Sequence, residues 1–109
     1  MGVTEPHALQ VFCTVDSELR ARDLATALVG GGFAACVQVV GPIHSVYRWR
    51  GAVETAIEWL LLMKTTEARF ADLRDAIVER HPYEVPEIVA LPITTGLPAY
   101  LAWIADSTS

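Results

Sequence analysis

Apolar and polar positions alternate along this chain in two rhythms, and the switches between them mark out its elements. Residues 9–14 form a short apolar run bounded by polar residues, which predicts a buried strand. Asp16 or Ser17 then offers an N-cap oxygen and Glu18 a favourable first-turn charge. Ala21, Leu24, Ala25 and Leu28 follow at helical spacing, and Gly30-Gly31-Gly32 ends that helix. A second strand is predicted over 33–40, with a bulge or bend at Gly41-Pro42. The pattern resumes with Ile43, Ser45, Tyr47 and Trp49 on one face, and Arg50-Gly51 supplies a hairpin turn. The return strand runs over 53–65 with Val53, Ile57, Trp59, Leu61 and Met63 together; residues 59–63 are apolar on both faces and so should be covered on both.

The helical rhythm returns after Thr66, an N-cap, with Phe70, Leu73 and Ile77 as the buried stripe. Arg80 and His81 fall in its last turn, where positive charge suits the helix dipole, and Pro82 stops it. Residues 88–93 read as a fourth strand. Gly96 and Pro98 open a last helix, whose Tyr100, Leu101, Trp103 and Ile104 leave almost no polar face and call for burial, in this subunit or against another. The order is β-α-β-β-α-β plus a terminal helix: an α/β (α+β) chain on the ferredoxin-like plan, with a long hairpin between the second and third strands. No internal repeat beyond the two βαβ halves, no low-complexity segment and no linker interrupts it, so residues 1–109 read as a single domain with its core at about 8–105.

Composition changes this picture in one respect. Apolar residues make up 52% of the chain and charged residues 19%, with a mean hydropathy of +0.34, too apolar a balance for a lone monomer. The longest apolar stretches, 33–43 and 57–63, are far short of the ~18 to 20 residues of a membrane-spanning helix. The start of the chain, residues 1–6, has neither the basic region nor the apolar core of a secretory signal. Self-association is the better account of the excess apolar surface, and no membrane partner is expected. A net charge of -5 without a basic cluster argues against nucleic acid. Cys13 and Cys36 are the only cysteines; they are expected to be reduced thiols in the cytoplasm, two strands apart and out of disulfide reach.

The candidate chemistry gathers at one sheet edge. With strand order 4-1-3-2 and right-handed crossovers, Cys13, Thr14 and Asp16 approach His81, Glu84 and Glu87. The long hairpin rises from the same edge and could carry Tyr47 and Trp49 of a neighbouring subunit over it. A thiolate with an imidazole suits copper or zinc, although Cys13 and His81 alone make an incomplete site that Glu84, a water or another subunit would have to finish. Blander readings stand beside this one: Cys13 as a small buried hydrophobe, His81 as a partner for helix-end carbonyls, Tyr47 and Trp49 as interface packing. Enzyme readings rank low. The chain has no asparagine to position water as an acylphosphatase does, and its triple glycine follows a helix rather than a strand, the wrong context for a phosphate loop. A copper chaperone would use Cys-x-x-Cys, but these two cysteines stand 23 positions apart.

Six segments in register resemble the CutA family, the divalent-cation tolerance proteins: Val11-Phe12-Cys13-Thr14; Ala34-Ala35-Cys36-Val37; Ser45-Val46-Tyr47-Arg48-Trp49-Arg50-Gly51; Lys64-Thr65; His81-Pro82-Tyr83-Glu84-Val85-Pro86-Glu87; and Tyr100-Leu101-Ala102-Trp103-Ile104. The resemblance implies a cytoplasmic homotrimer, not an enzyme, in which strands of adjacent subunits extend one another's sheets. It also implies metal ligation at Cys13 and His81, with copper or another divalent ion weakly bound and no cofactor required. Some members carry two adjacent histidines where this chain has Arg80-His81, so one ligand is replaced by a positive charge. The alternative is a small-effector sensor or interaction scaffold, architecturally akin to the trimeric nitrogen-regulatory signalling proteins. Its intersubunit cleft would be lined by Tyr47, Trp49, Lys64, His81 and Glu84.

Overall fold

The computed structural model describes residues 7–109; residues 1–6, read above for the absence of a signal, lie outside them. The element order is β1 (Ala8–Val15), α1 (Glu18–Gly30), β2 (Cys36–Trp49), β3 (Ala52–Thr66), α2 (Glu67–Arg80), β4 (Val89–Pro92) and α3 (Pro98–Ser107). Four strands form one antiparallel sheet in the order β2-β3-β1-β4, the expected ferredoxin-like arrangement.

Strand register explains which residues form the core. Val11 and Cys13 of β1 lie opposite Met63 and Leu61 of β3, and all four are fully buried beneath α1 and α2. Leu24 and Leu28 of α1, with Leu73 and Ile77 of α2, complete this layer. The opposite sheet face carries Phe12, Leu60, Leu62, Val40, Val89 and Leu91 by the same alternation. There α3 covers one end only, where Ile104 packs with Ala8 and Ala35. Leu60 and Leu62 are therefore half-buried in the single chain.

The β2–β3 hairpin gives the molecule its long axis of 50 Å. Pairing with β1 ends at Trp59, opposite Val15, so the ribbon beyond it has no third strand. Its turn is Arg50 (φ 50) and Gly51 (φ 84), two consecutive positive-φ residues whose twist matches the flanking strands. The register shift falls between Val40 and Ile43, at the expected Gly41-Pro42 position. A Cβ on Gly41 would lie 2.4 Å from Cδ1 of the Trp59 ring. Gly41→Ala is therefore expected to cost about 1–3 kcal/mol in a thermal or urea melt, because Trp59 must leave its seat against the core.

Three expectations need correction. Residues 33–35 are not strand: the Phe33 and Ala34 amides donate to the Leu28 carbonyl at 3.0 and 3.3 Å, finishing α1 before β2 begins at Cys36. His81 lies just past α2 rather than in its last turn; its ψ of 138 reflects the clash that a following proline imposes on helical backbone. β4 is four residues long, shorter than 88–93. Separately, in α3 Ile104 is fully buried and Leu101 half-buried, while Tyr100 and Trp103 are 41% and 44% exposed in the single chain. Ser17 does cap α1, its hydroxyl accepting the Arg20 amide at 3.1 Å. Thr66 holds the N-cap position of α2 without a side-chain cap bond.

Candidate functional site

The expected sheet edge forms where β1 ends and α2 gives way to the 81–87 turn. Cys13 is fully buried, with Leu61 opposite it on β3. Its thiol lies 3.7 Å from the Thr14 carbonyl. Burial, with Glu87 and Glu58 adding negative charge nearby, pushes its pKa up to about 12, so at neutral pH the sulfur keeps its proton. His81 reaches the same carbonyl from the other side. Its Nδ1 accepts the Tyr83 amide at 3.1 Å, which leaves Nε2 as the protonated nitrogen, donating to Thr14 O at 2.8 Å. The two residues thus meet, as the topology requires, at one backbone oxygen.

That meeting is not a preformed metal centre. A ligating cysteine must be a thiolate and a ligating histidine needs a free lone pair. Here the thiol is held protonated, and both ring nitrogens are committed to backbone groups. Among the described residues no cluster of three or more His, Cys, Asp or Glu is placed to hold an ion. The side chains present do not fit a resident metal.

The open cavity at this edge is a neighbouring cleft of about 800 Å³ between the hairpin tip and the 81–87 turn. Tyr47, Trp49 and Glu84 line it within the single chain, together with Thr14, Glu58 and Glu87. Within the single chain, Tyr47 and Trp49 overhang this edge from the chain's own hairpin. Arg50 ties the two sides together, donating to Glu84 Oε2 at 2.7 Å while its guanidinium lies 5.3 Å over the Trp49 ring. Tyr83 donates its hydroxyl to Glu58 Oε2 at 2.7 Å and packs edge-on against His81, ring centres 4.6 Å apart. Partial burial and the Glu58 carboxylate raise the Tyr83 pKa, so the phenol stays a donor. Lys64 stands apart: it pairs with Cys36 and Gln10 across the sheet, and its ammonium donates to Gln38 Oε1 at 3.2 Å. Glu58 was missed by the pattern analysis. Its signal was a single carboxylate inside the apolar run Ile57-Glu58-Trp59-Leu60. Arg50 was read only as a turn residue.

Cys36 lies opposite Lys64 of β3, and Lys64 opposite Gln10 of β1, so the two cysteines are separated by a strand; both are free thiols. No helix among the described residues is long and apolar enough to cross a membrane.

Comparison with known proteins agrees with the fold. The sequence pattern of the CutA1 divalent ion tolerance protein family matches residues 9–107. The divalent-cation tolerance protein CutA of Thermus thermophilus is 49% identical over 98 residues, covering 90% of this chain and 95% of that protein. The chloroplastic protein CutA of Arabidopsis thaliana is 40% identical over 101 residues, 93% of this chain but 56% of that longer protein. Among solved structures, the Thermus thermophilus divalent cation tolerance protein (Cut A1) superposes with a TM-score of 0.92 at 47% identity, over 94% of this chain and 99% of that one. CutA1 from Oryza sativa gives a TM-score of 0.93 at 38% identity, over 98% of each chain. On the match across residues 9–107 and these relatives together, this chain belongs to the CutA1 divalent ion tolerance protein family.

Proposed function

We propose that this chain serves divalent-cation tolerance as a cytoplasmic homotrimer, without catalysing a reaction and without a resident metal. Family membership over nearly the whole chain carries the reading. Three features support its parts. The sheet face that α3 covers at one end only leaves Val40, Val89 and Leu91 between 45% and 56% exposed, apolar surface suited to copies of the same chain. Two unpaired thiols suit a reducing compartment. His81, the residue best suited to acid–base work at this edge, has both nitrogens bound to backbone groups rather than offered to a substrate.

Copper or another divalent ion engaged through Cys13 and His81 binds weakly on this reading. The thiol must lose a proton against its burial, and the imidazole must surrender either the Tyr83 amide or the Thr14 carbonyl. Calorimetric titration with Cu²⁺ and Zn²⁺ tests this. Cys13→Ala and His81→Ala are each expected to weaken copper binding at least tenfold, and unchanged binding in both variants would remove these residues from the site. A second reading, a small-effector sensor, is favoured by one observation. The 800 Å³ cleft beside them is of ligand size and is lined by aromatic and charged side chains.

A further inference from the structure

The cleft holds negative charge that the chain itself does not match. Glu58 is only 6% exposed, and among the described residues its one side-chain partner is the neutral phenol of Tyr83 on Oε2. No lysine, arginine or histidine pairs with Glu58 among the described residues, and none pairs with Glu87 on the same cleft. A carboxylate this deeply buried normally has a cationic counterpart, because a neutral donor offsets little of its desolvation. The walls say what kind of cation fits. Tyr47 and Trp49 offer aromatic faces, which attract ammonium and guanidinium groups and give no bond to a metal ion. The site already contains one such group: Arg50 lies over Trp49 and binds Glu84, so the chain's own guanidinium fills one subsite and leaves the Glu58–Glu87 side unfilled.

We propose that this cleft binds an organic cation, an ammonium or guanidinium on a short carbon chain, with its charge at Glu58 and Glu87 and its stem along Tyr47 and Trp49. The proposal rests on the effector-cleft reading above and gives it a ligand class. A metal ion meets these walls poorly, since no three donor side chains converge among the described residues. Arg50 acts as an internal competitor. A ligand with a second positive group must displace it from Glu84 and Trp49, so its removal should tighten binding rather than weaken it.

Calorimetric titration of the full-length assembled protein with agmatine and with 1,4-diaminobutane tests this, with succinate as an anionic probe of similar length. Both cations are expected to bind. Arg50→Asn, which keeps a residue tolerant of positive φ at the turn, should tighten agmatine several-fold. Glu58→Gln still accepts the Tyr83 hydroxyl but lacks the charge, and should weaken both cations at least tenfold. Glu87→Gln on the exposed rim provides the same reading should the buried substitution disturb folding, as judged by circular dichroism. Cation binding undiminished in both glutamine variants overturns the assignment. Succinate binding without cation binding overturns the ligand class while leaving an effector cleft in place. Silence towards all three probes, in the wild type and in Arg50→Asn, overturns both.

Discussion

Replacing Leu61 with alanine is expected to destabilise the folded chain by about 3 kcal/mol. Leu61 is fully buried at the centre of the sheet, opposite Cys13 of β1 on one side and Val39 of β2 on the other. Its side chain points into the layer shared with Leu28, Leu73 and Ile77, which come from both helices. Two neighbouring strands and two helices hold the walls of the resulting cavity apart, so little of it can collapse. The cost therefore contains both the lost transfer energy and a cavity term, and a domain with about 5–15 kcal/mol in hand feels it strongly. Leu19→Ala is the matched control: the same atoms are removed from a side chain 70% exposed on α1, and the change should stay within about 0.5 kcal/mol. Urea midpoints at one fixed protein concentration provide the comparison, since any coupling to assembly makes stability concentration-dependent. Equal midpoints for the two variants would show that the sheet–helix layer is not the main store of stability.

The core that Leu61 occupies was readable from alternation alone. Period-two spacing placed Leu61, Met63 and Trp59 on one face, and the observed register sets them against β1 as that spacing requires. Gly41-Pro42 marked the bulge and Arg50-Gly51 the turn, because both depend on backbone preferences local to two residues. Element ends were less legible. Phe33 and Ala34 look like strand in composition, but their amides both donate to the Leu28 carbonyl in the last turn of α1, a demand that apolar pattern does not express. The candidate site divided in the same way. Topology brought Cys13 and His81 to one edge correctly, since strand order and crossover handedness fix it. What each nitrogen and sulfur does there was not legible, because it depends on bonds to the Thr14 carbonyl and the Tyr83 amide, groups every residue possesses. Within the single chain, the Lys64 ammonium donates to Gln38 Oε1 on the neighbouring strand, a contact that depends on side-chain reach rather than on spacing.

The excess of apolar residues leads to the second large effect. Leu91→Glu is expected to leave the single chain folded and to abolish its assembly. Leu91 lies opposite Gln10 on the sheet face that α1 and α2 do not cover, beside Val89 and Phe12. At 56% exposure in the single chain it contributes little to the fold, and a carboxylate there is solvated and cheap. Packed against another copy, the same carboxylate would lose its water without gaining a cation, a cost of several kcal/mol repeated at every copy of the interface. Light scattering should therefore give about three times the 11.9 kDa chain mass for the wild type and a single chain mass for the variant, with helical circular dichroism unchanged. Val29→Glu makes the comparison specific. Val29 is also exposed, at 43%, but it sits on α1, the layer over the opposite sheet face, and its replacement should leave the mass at three chains. A monomeric wild type would leave the apolar excess without its explanation. A Leu91→Glu protein that stays trimeric would move the interface from the open sheet face to the projecting β2–β3 ribbon, whose Val46 and Val53 are 70% and 65% exposed.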